Sequence, residues 1–187
     1  MIIITGAAGF IGSAMCWALN KRGINDIIIV DEAILSHDKK ANLTALKYSE
    51  YLSKEELIDN LKEARFKNIK AIIHLGACSN TTETDEKFLK RNNFEYTKTL
   101  CEYCIVKNAR FIYASSAATY GDGKNGYSDE EKTIDTLKPL NLYGKSKQLF
   151  DVWAKNNGLL NKIVGLKYFN IFGPNEYHKG EMRSVVL

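Results

Sequence analysis

Tyr143, Lys147 and Ser116 have the types and spacing to move a proton to or from an alcohol oxygen. A phenol ordinarily titrates near a pKa of about 10, and it serves as a base near neutrality when a nearby ammonium stabilises its phenolate. Tyrosine and lysine four apart on a helix share one face. The pattern Y-x-x-x-K occurs three times in the chain, so position must choose among the matches. Tyr103/Lys107 ends a predicted helix that precedes the predicted strand Arg110–Ser115, and so points away from that strand's carboxyl end. Tyr120/Lys124 lies in the loop around G-D-G-K-N-G, which has no helical face. Tyr143/Lys147 opens a predicted helix just past the same strand end, where open parallel sheets bind their ligands. This third pair is assigned the acid/base role. Ser116, in Y-A-S-S-A-A-T-Y-G, can donate a hydrogen bond to the reacting oxygen, although a serine there also commonly caps a loop.

A second group of residues suits a phosphate. Residues 5–12 read T-G-A-A-G-F-I-G, with Gly6, Gly9 and Gly12 spaced G-x-x-G-x-x-G between a predicted strand and a predicted helix. Glycine lets the backbone turn tightly and approach a pyrophosphate, and the helix N-terminus offers free N–H groups and a positive dipole end. Asp31 ends the next predicted strand, where an acid bonds the adenosine ribose and favours NAD. Lys39 and Lys54 follow, and either suits the 2′-phosphate of NADP; residue chemistry alone leaves the two cofactors evenly matched.

These residues need a frame that presents them together. Apolar, β-branched runs predict strands at Ile2–Thr5, Ile27–Asp31, Ala71–His74, Arg110–Ser115 and Ile163–Phe169, with a weaker one near Leu46–Tyr51. Helical patterns fall at Phe10–Arg22, Lys54–Phe66, Glu86–Lys107 and Leu142–Asn157, and Ser53 with Glu56 forms a capping box. Alternating strands and helices, with strands apolar on both faces, predict an α/β, doubly wound parallel sheet, the Rossmann fold. Residues 1–170 read as the dinucleotide-binding domain and 171–187 as the start of a substrate-binding region that is largely missing. The run from Glu181 to Leu187 is apolar to its end without a stop signal, so a helix continuing into a longer protein is expected there.

Composition narrows the partners. A formal charge of +4 spread over scattered lysines is too mild to argue for nucleic acid. No apolar run approaches the ~20 residues of a membrane span, and the first strand is too short for a signal-peptide core. The chain therefore reads as cytoplasmic, with neither membrane nor nucleic acid as partner. Cys101 and Cys104 form a C-x-x-C late in a helix, away from the N-terminus that would activate a thiol. No second pair completes a zinc site, so they read as core, and no metal is expected.

Taken together, I-I-I-T-G-A-A-G-F-I-G-S, H-L-G-A-C-S-N-T-T-E, Y-A-S-S-A-A-T-Y-G, L-N-L-Y-G-K-S-K and Y-F-N-I-F-G-P-N-E-Y-H-K-G resemble the extended short-chain dehydrogenase/reductase family. The resemblance runs from Met1 to Leu187 and points to its nucleotide-sugar epimerases. It implies an NADP-type cofactor (NAD being the alternative) touched by Phe10, Ile11, Asp31, Glu32, Lys39, Lys54, Leu75, Gly76, Ala77, Cys78, Ser79, Asn92 and Ile171. It also implies Tyr143 and Lys179 as two acid/base residues, supported by Lys147 and Ser116. Asn170 and Glu181 would touch an ADP-heptose-type nucleotide sugar, and the full-length protein would be a homo-oligomer. Departures are Leu75, where the family often has Glu, Glu181, where it has a small hydroxyl residue, and Arg183, where it has Ala. Dehydratases of this fold carry an Asp-Glu pair after the serine or threonine; Ala117 and Ala118 stand there, which leaves epimerisation or simple oxidoreduction. A different nucleotide-sugar epimerase or reductase, or a cofactor-binding module without catalysis, are the other readings.

Overall fold

The computed structural model describes residues 1–184, apart from the side chains of Glu181 and Met182. Two compact units make up the chain: Met1–Gly76 together with the segment from Asn170, and Ala77–Phe169.

The first unit comprises β1 (Ile2–Thr5), α1 (Phe10–Lys21), β2 (Ile27–Asp31), α2 (His37–Leu43), β3 (Glu50–Ser53), α3 (Lys54–Lys62) and β4 (Ala71–His74). Its strands pair in parallel in the order β3-β2-β1-β4, which is half of a doubly wound sheet. Ile3, Ile4, Ile27, Ile29, Leu57 and Ile72 are wholly excluded from solvent, as expected of strands covered on both faces. The parallel arrangement brings the ends of β1, β2 and β4 to one edge, where the glycine loop, Asp31 and the 75–76 turn lie.

Two elements differ from expectation. The third strand is Glu50–Ser53, not Leu46–Tyr51, because Asn20 takes both backbone groups of Lys47, donating to its carbonyl at 2.9 Å and accepting its N–H at 2.8 Å. With those groups satisfied by a side chain, the ladder begins only at Glu50 opposite Ile28. Helix α3 stops at Lys62 rather than Phe66: Ala64 is left-handed at φ 53°, and the Arg65 N–H turns back to the Asn60 carbonyl at 3.0 Å. Phe66 is buried from the following turn, which is why the apolar pattern outruns the helix.

The second unit carries α4 (Glu86–Leu89), a π-helical turn (Lys90–Glu95), α5 (Tyr96–Lys107), β5 (Arg110–Ser116), α6 (Leu142–Asn156) and β6 (Ile163–Tyr168). β5 and β6 pair in parallel from Phe111 opposite Ile163 to Ser116 opposite Tyr168. Phe111, Tyr113, Phe150 and Trp153 stack between β5 and α6, with the Tyr113 and Phe150 rings 4.7 Å apart edge to face. The helix expected over Glu86–Lys107 is present, but interrupted by the π turn, whose wider winding turns Asn93 and Phe94 inward. Cys101 and Cys104 are buried free thiols on α5. Burial, followed by the charge of Glu102, pushes the Cys101 thiol up to about 12.

The returning segment of the first unit is organised by one carboxylate. Glu176, fully buried, accepts the Gly173 N–H at 3.0 Å, the Ser184 N–H and hydroxyl at 3.1 Å each, and the Lys179 ammonium at 3.0 Å. A 3-10 turn spans Tyr177–Met182 and Arg183 is extended, so of the helix expected over Glu181–Leu187 the described part, up to Ser184, is not an α-helix. Residues 185–187 lie outside the described residues.

The Ser53 capping box and the Glu176 carboxylate are both testable. Ser53 accepts the Glu56 N–H at 3.2 Å while Glu56 accepts the Ser53 N–H at 2.7 Å. Ser53→Ala is expected to cost about 1 kcal/mol, a fall in Tm of about 2–4 °C by calorimetry; an unchanged Tm would show the box to be idle. For Glu176, burial pushes the carboxyl up, but hydrogen bonds from Lys179, Ser184 and Gly173 more than reverse this and hold it at about 2. A carboxyl depressed in the folded state stabilises fully above its unfolded value and loses that contribution as pH falls through the folded one. The Tm deficit of Glu176→Gln is therefore expected to be largest at neutral pH and to narrow steadily below about pH 4.5. A deficit independent of pH would remove the charge from the account.

Candidate active site

In the first unit the glycines are required by contact. Gly6 has φ +66°, and a Cβ there would sit 2.6 Å from the Cα of Gly76. At Gly12 a Cβ would meet the Gly6 carbonyl oxygen at 2.1 Å, so α1 packs on its own entry loop. Gly9 is the N-cap of α1, with no side-chain cap and no acid in the first turn. By contrast α2, α3, α4 and α6 are capped by Ser36, Ser53, Asp85 and Asn141. First-turn N–H groups have no partner within a helix, so Phe10, Ile11 and Gly12 present donors and the positive dipole end to an anion. That arrangement fits the pyrophosphate of a dinucleotide.

Asp31 closes β2. Its Oδ2 accepts the Ala8 N–H of the glycine loop at 2.9 Å, and its Oδ1 accepts the Glu32 N–H at 2.9 Å and the Lys39 ammonium at 3.1 Å. Lys39 also reaches Glu32 Oε2 at 3.0 Å. Burial lowers the Lys39 pKa, but the two carboxylates outweigh it and the net shift is upward. Lys54 lies half-exposed at the start of α3, with Glu55 at 3.8 Å. The Leu75 N–H donates to the Thr5 carbonyl at 3.1 Å and the Gly76 N–H to the Thr5 hydroxyl at 3.2 Å, fixing the turn after β4. Lys179 is placed over the Phe10 ring, 4.6 Å from its centroid, with Glu176 as its anionic partner. Ile171 is half-buried and Asn170 exposed, and the side chain of Glu181 lies outside the described residues.

The sequence reading missed α2 and with it Asn42. This amide donates to the Ala8 carbonyl at 3.0 Å and the Asn175 carbonyl at 3.2 Å, tying the glycine loop to the returning segment. Ser36 followed by Asp38 was an available capping signal, but the seven residues His37–Leu43 carry too little apolar periodicity to read as a helix.

In the second unit Ser116 and Tyr143 meet. Burial pushes the Tyr143 phenol above its ordinary value, the hydrogen bond with Ser116 pulls it back, and Cys78 adds to the rise. Ser116 also accepts the Ala118 N–H at 3.1 Å, so its loop-capping and site roles coexist. Lys147 lies one turn after Tyr143 on α6, is only 5% exposed, and donates to the Ala114 carbonyl at 2.8 Å rather than to the phenol. Its burial lowers the ammonium pKa to about 8, against the opposing charges of Asp151 and Cys78. Gly144 makes the approach of α6 possible: a Cβ there would stand 2.8 Å from the Ala118 carbonyl oxygen.

Behind the pair, Asn93 accepts the Cys78 N–H and donates to its carbonyl, both at 2.9 Å, and donates to Ser146 Oγ at 3.0 Å. Asn92 donates to Asn93 Oδ1 at 3.0 Å, Ala77 is half-buried, and Ser79 is exposed. The π turn that aims Asn93 inward has no signal in the spacing of apolar residues. The competing tyrosines are otherwise engaged. Tyr120 stacks on Phe169 at 5.8 Å while Lys124 pairs with Asp122 at 2.8 Å, and Tyr103 stays on α5. Among the described residues no cluster of three or more His, Cys, Asp or Glu suits a metal ion, and no helix is long and apolar enough to cross a membrane.

Comparison with known proteins agrees with this geometry. The family described as "NAD dependent epimerase/dehydratase family" matches residues 2–187. The chain is 53% identical over 187 residues to an ADP-L-glycero-D-manno-heptose-6-epimerase of Nitratidesulfovibrio vulgaris (strain DP4), covering all of this chain and 58% of that protein. It is 51% identical to the enzyme of the same name from Fusobacterium nucleatum, covering 57% of it. Among solved structures, the ADP-L-glycero-D-manno-heptose-6-epimerase of Helicobacter pylori superposes with a TM-score of 0.82 at 29% identity, over 99% of this chain and 60% of that one. UDP-glucuronic acid 4-epimerase of Bacillus cereus in complex with NAD gives 0.70 at 29% identity, over 93% of this chain and 58% of that one. The chain thus spans little more than half the length of the relatives it matches. The match over residues 2–187 shows that the chain, with its doubly wound fold and glycine loop, belongs to the NAD dependent epimerase/dehydratase family.

Proposed function

We propose that this chain is the cofactor-binding part of an ADP-L-glycero-D-manno-heptose 6-epimerase. Such an enzyme interconverts ADP-D-glycero-D-manno-heptose and ADP-L-glycero-D-manno-heptose by transient oxidation with NADP, a step in supplying heptose for lipopolysaccharide core assembly. The observation that carries the reading is Tyr143 beside Ser116, whose hydroxyl lowers the phenol's pKa against burial, with the buried ammonium of Lys147 one turn away on α6. The names of the relatives supply the sugar.

When bound, the nicotinamide supplies a hydride acceptor that later returns the hydride. The chain's own residues supply the rest. The α1 N-terminus holds the pyrophosphate, and Asp31, Glu32, Lys39 and Lys54 meet the adenosine ribose. Lys39 neutralises one of two adjacent acids, which supports a 2′-phosphate there and hence NADP over NAD. Tyr143 takes the proton of the secondary alcohol as its carbon becomes a ketone, with Ser116 donating to the same oxygen. Inversion requires the hydride to return to the opposite face of that carbon. Lys179, held by Glu176, is the second proton-transfer residue in this reading. Asn170 and Glu181 contact the sugar nucleotide, and the full-length protein assembles as a homo-oligomer in the cytoplasm.

Titration calorimetry of this chain is expected to show NADP binding more tightly than NAD; equal affinities, or NAD the tighter, would contradict the 2′-phosphate role of the lysines. In the polypeptide extended over the length of its relatives, Tyr143→Phe is expected to lose about 10²–10⁴-fold in epimerisation with little change in cofactor affinity. Near-normal turnover would move the role to another tyrosine. A panel of nucleotide sugars tests the substrate, and preference for a UDP-sugar would favour a different epimerase of the family.

A further inference from the structure

The polar cluster below the Tyr143 helix goes beyond the residues that this reading uses. Asp151 follows Lys147 by one turn of α6, on the same face, and is 2% exposed. Its Oδ1 accepts the Tyr113 hydroxyl at 2.8 Å; its Oδ2 accepts the Ser115 hydroxyl at 2.8 Å and the Lys167 ammonium at 2.6 Å. Lys167, on β6, also donates to Thr119 Oγ1 at 2.9 Å and lies 5.4 Å from the centroid of the Tyr120 ring. Lys147 binds the carbonyl of Ala114, the residue between the two that hold Asp151. Three consecutive residues of β5 are therefore fastened to α6 by its two buried charges, immediately before Ser116.

We propose that Asp151 and Lys167 are positioning residues: the buried Asp151 carboxylate keeps Lys147 charged, and Lys167, by pairing with that carboxylate, leaves the Lys147 ammonium as the uncompensated cation one turn from Tyr143. The proposal rests on Tyr143 and Lys147 being the proton-transfer pair. Counting charges gives the reason. Asp151, Lys167 and Lys147 sum to +1 with Tyr143 neutral, and to zero with Tyr143 ionised. Buried net charge is costly, so the cluster favours the phenolate. Without Lys167, Asp151 would cancel Lys147 and an ionised Tyr143 would leave −1. Without Asp151, two ammoniums would share a buried site, and the more deeply buried Lys147 would surrender its proton.

The charged groups that act on Lys147 are Asp151 on α6 and Cys78 after β4, while Tyr113 and Ser115 on β5 and Lys167 on β6 reach it through the Asp151 carboxylate they share. Asp151 and Cys78 oppose the lowering of the Lys147 pKa that burial imposes, and the Asp151 charge raises the pKa of both Tyr113 and Tyr120.

The test is a pH titration of the chain labelled with ¹³Cε-lysine, read by NMR, with the Lys147 signal assigned by its loss in Lys147→Arg. Asp151→Asn is expected to lower the Lys147 midpoint by about one pH unit or more, a tenfold loss of proton affinity. Lys167→Met is expected to raise it by a similar amount, Lys167→Arg to leave it in place, and the double variant Asp151→Asn/Lys167→Met to return it close to its starting value. Mere loosening of the packing would rehydrate Lys147 and raise the midpoint in every variant. A rise in Asp151→Asn, or no change, overturns the proposal. Should Asp151→Asn not fold, the lysine variants decide: no rise in Lys167→Met, or an equal rise in Lys167→Arg, overturns it. The titration needs no substrate. Its failure would leave the epimerase reading standing, and failure of the Tyr143→Phe assay would leave the titration standing.

Discussion

An ammonium withdrawn from water carries an effective penalty of several kcal/mol unless charge and hydrogen bonds replace its hydration. Lys147 has one carbonyl within hydrogen-bond reach and is almost fully enclosed. Much of the second unit can be understood as the structure needed to keep a cation there. Tyr113 and Ser115 alternate with Ala114 along β5, so two side chains of the strand hold Asp151 while the carbonyl between them receives Lys147. The four-residue spacing of Lys147 and Asp151 puts both on the face of α6 that packs on this strand. Gly144 then removes the Cβ that would keep the helix from the turn after β5. The nearness of Ser116 to Tyr143 follows from these contacts rather than standing alone.

The first unit solves a different electrostatic problem. It presents a helix end with unspent donors to an anion while packing two acids close by. Asp31 accepts from Ala8, Glu32 and Lys39, so its carboxyl group fixes the loop that leads into the α1 N-terminus. Lys39 reduces the repulsion a phosphate would meet from Asp31 and Glu32. The close contact of Gly6 with Gly76 makes the loop after β1 and the turn after β4 a single rigid surface. Asn42 and Asn175 join the returning segment to that surface and bring Lys179 to Phe10. The same glycines that suit a ligand are therefore demanded by packing.

What the sequence disclosed follows from the range of the forces involved. Strands β1, β2 and β4 are apolar on both faces, and that pattern is local and unambiguous. The place of the glycine loop between β1 and α1, and of Tyr143 at the start of α6, needed only the order of elements. Helix α2 escaped because it is short and held by a Ser36 cap rather than by an apolar stripe. The start of β3 was misplaced because Asn20, distant in sequence, satisfies the Lys47 backbone. The Asn93 clamp escaped because the π turn that aims it inward leaves the apolar spacing of a helix intact. The Asp151–Lys167 pair escaped for the same kind of reason: each residue looks like a solvated surface charge until β6 is laid beside β5.

The turn after β5 also bears on which reaction the site can support. Removing water from a sugar needs an acid to protonate the departing hydroxyl, in addition to the base that takes the first proton. The residues beside Ser116 are Ala117 and Ala118, and the latter's N–H is already bonded by Ser116. Thr119, fully buried, donates to the Ser116 carbonyl at 2.8 Å and receives Lys167, so its hydroxyl is committed to the scaffold. No carboxyl lies on the turn Ala117–Tyr120 to act as that acid. What this turn does offer is the Ser116 hydroxyl, beside the Tyr143 phenol. A proton and a hydride moved out and then back is the chemistry of epimerisation, and a single one-way transfer of each is that of simple reduction; neither needs a carboxyl at this turn. The requirement that separates these two is a second proton donor for the opposite face.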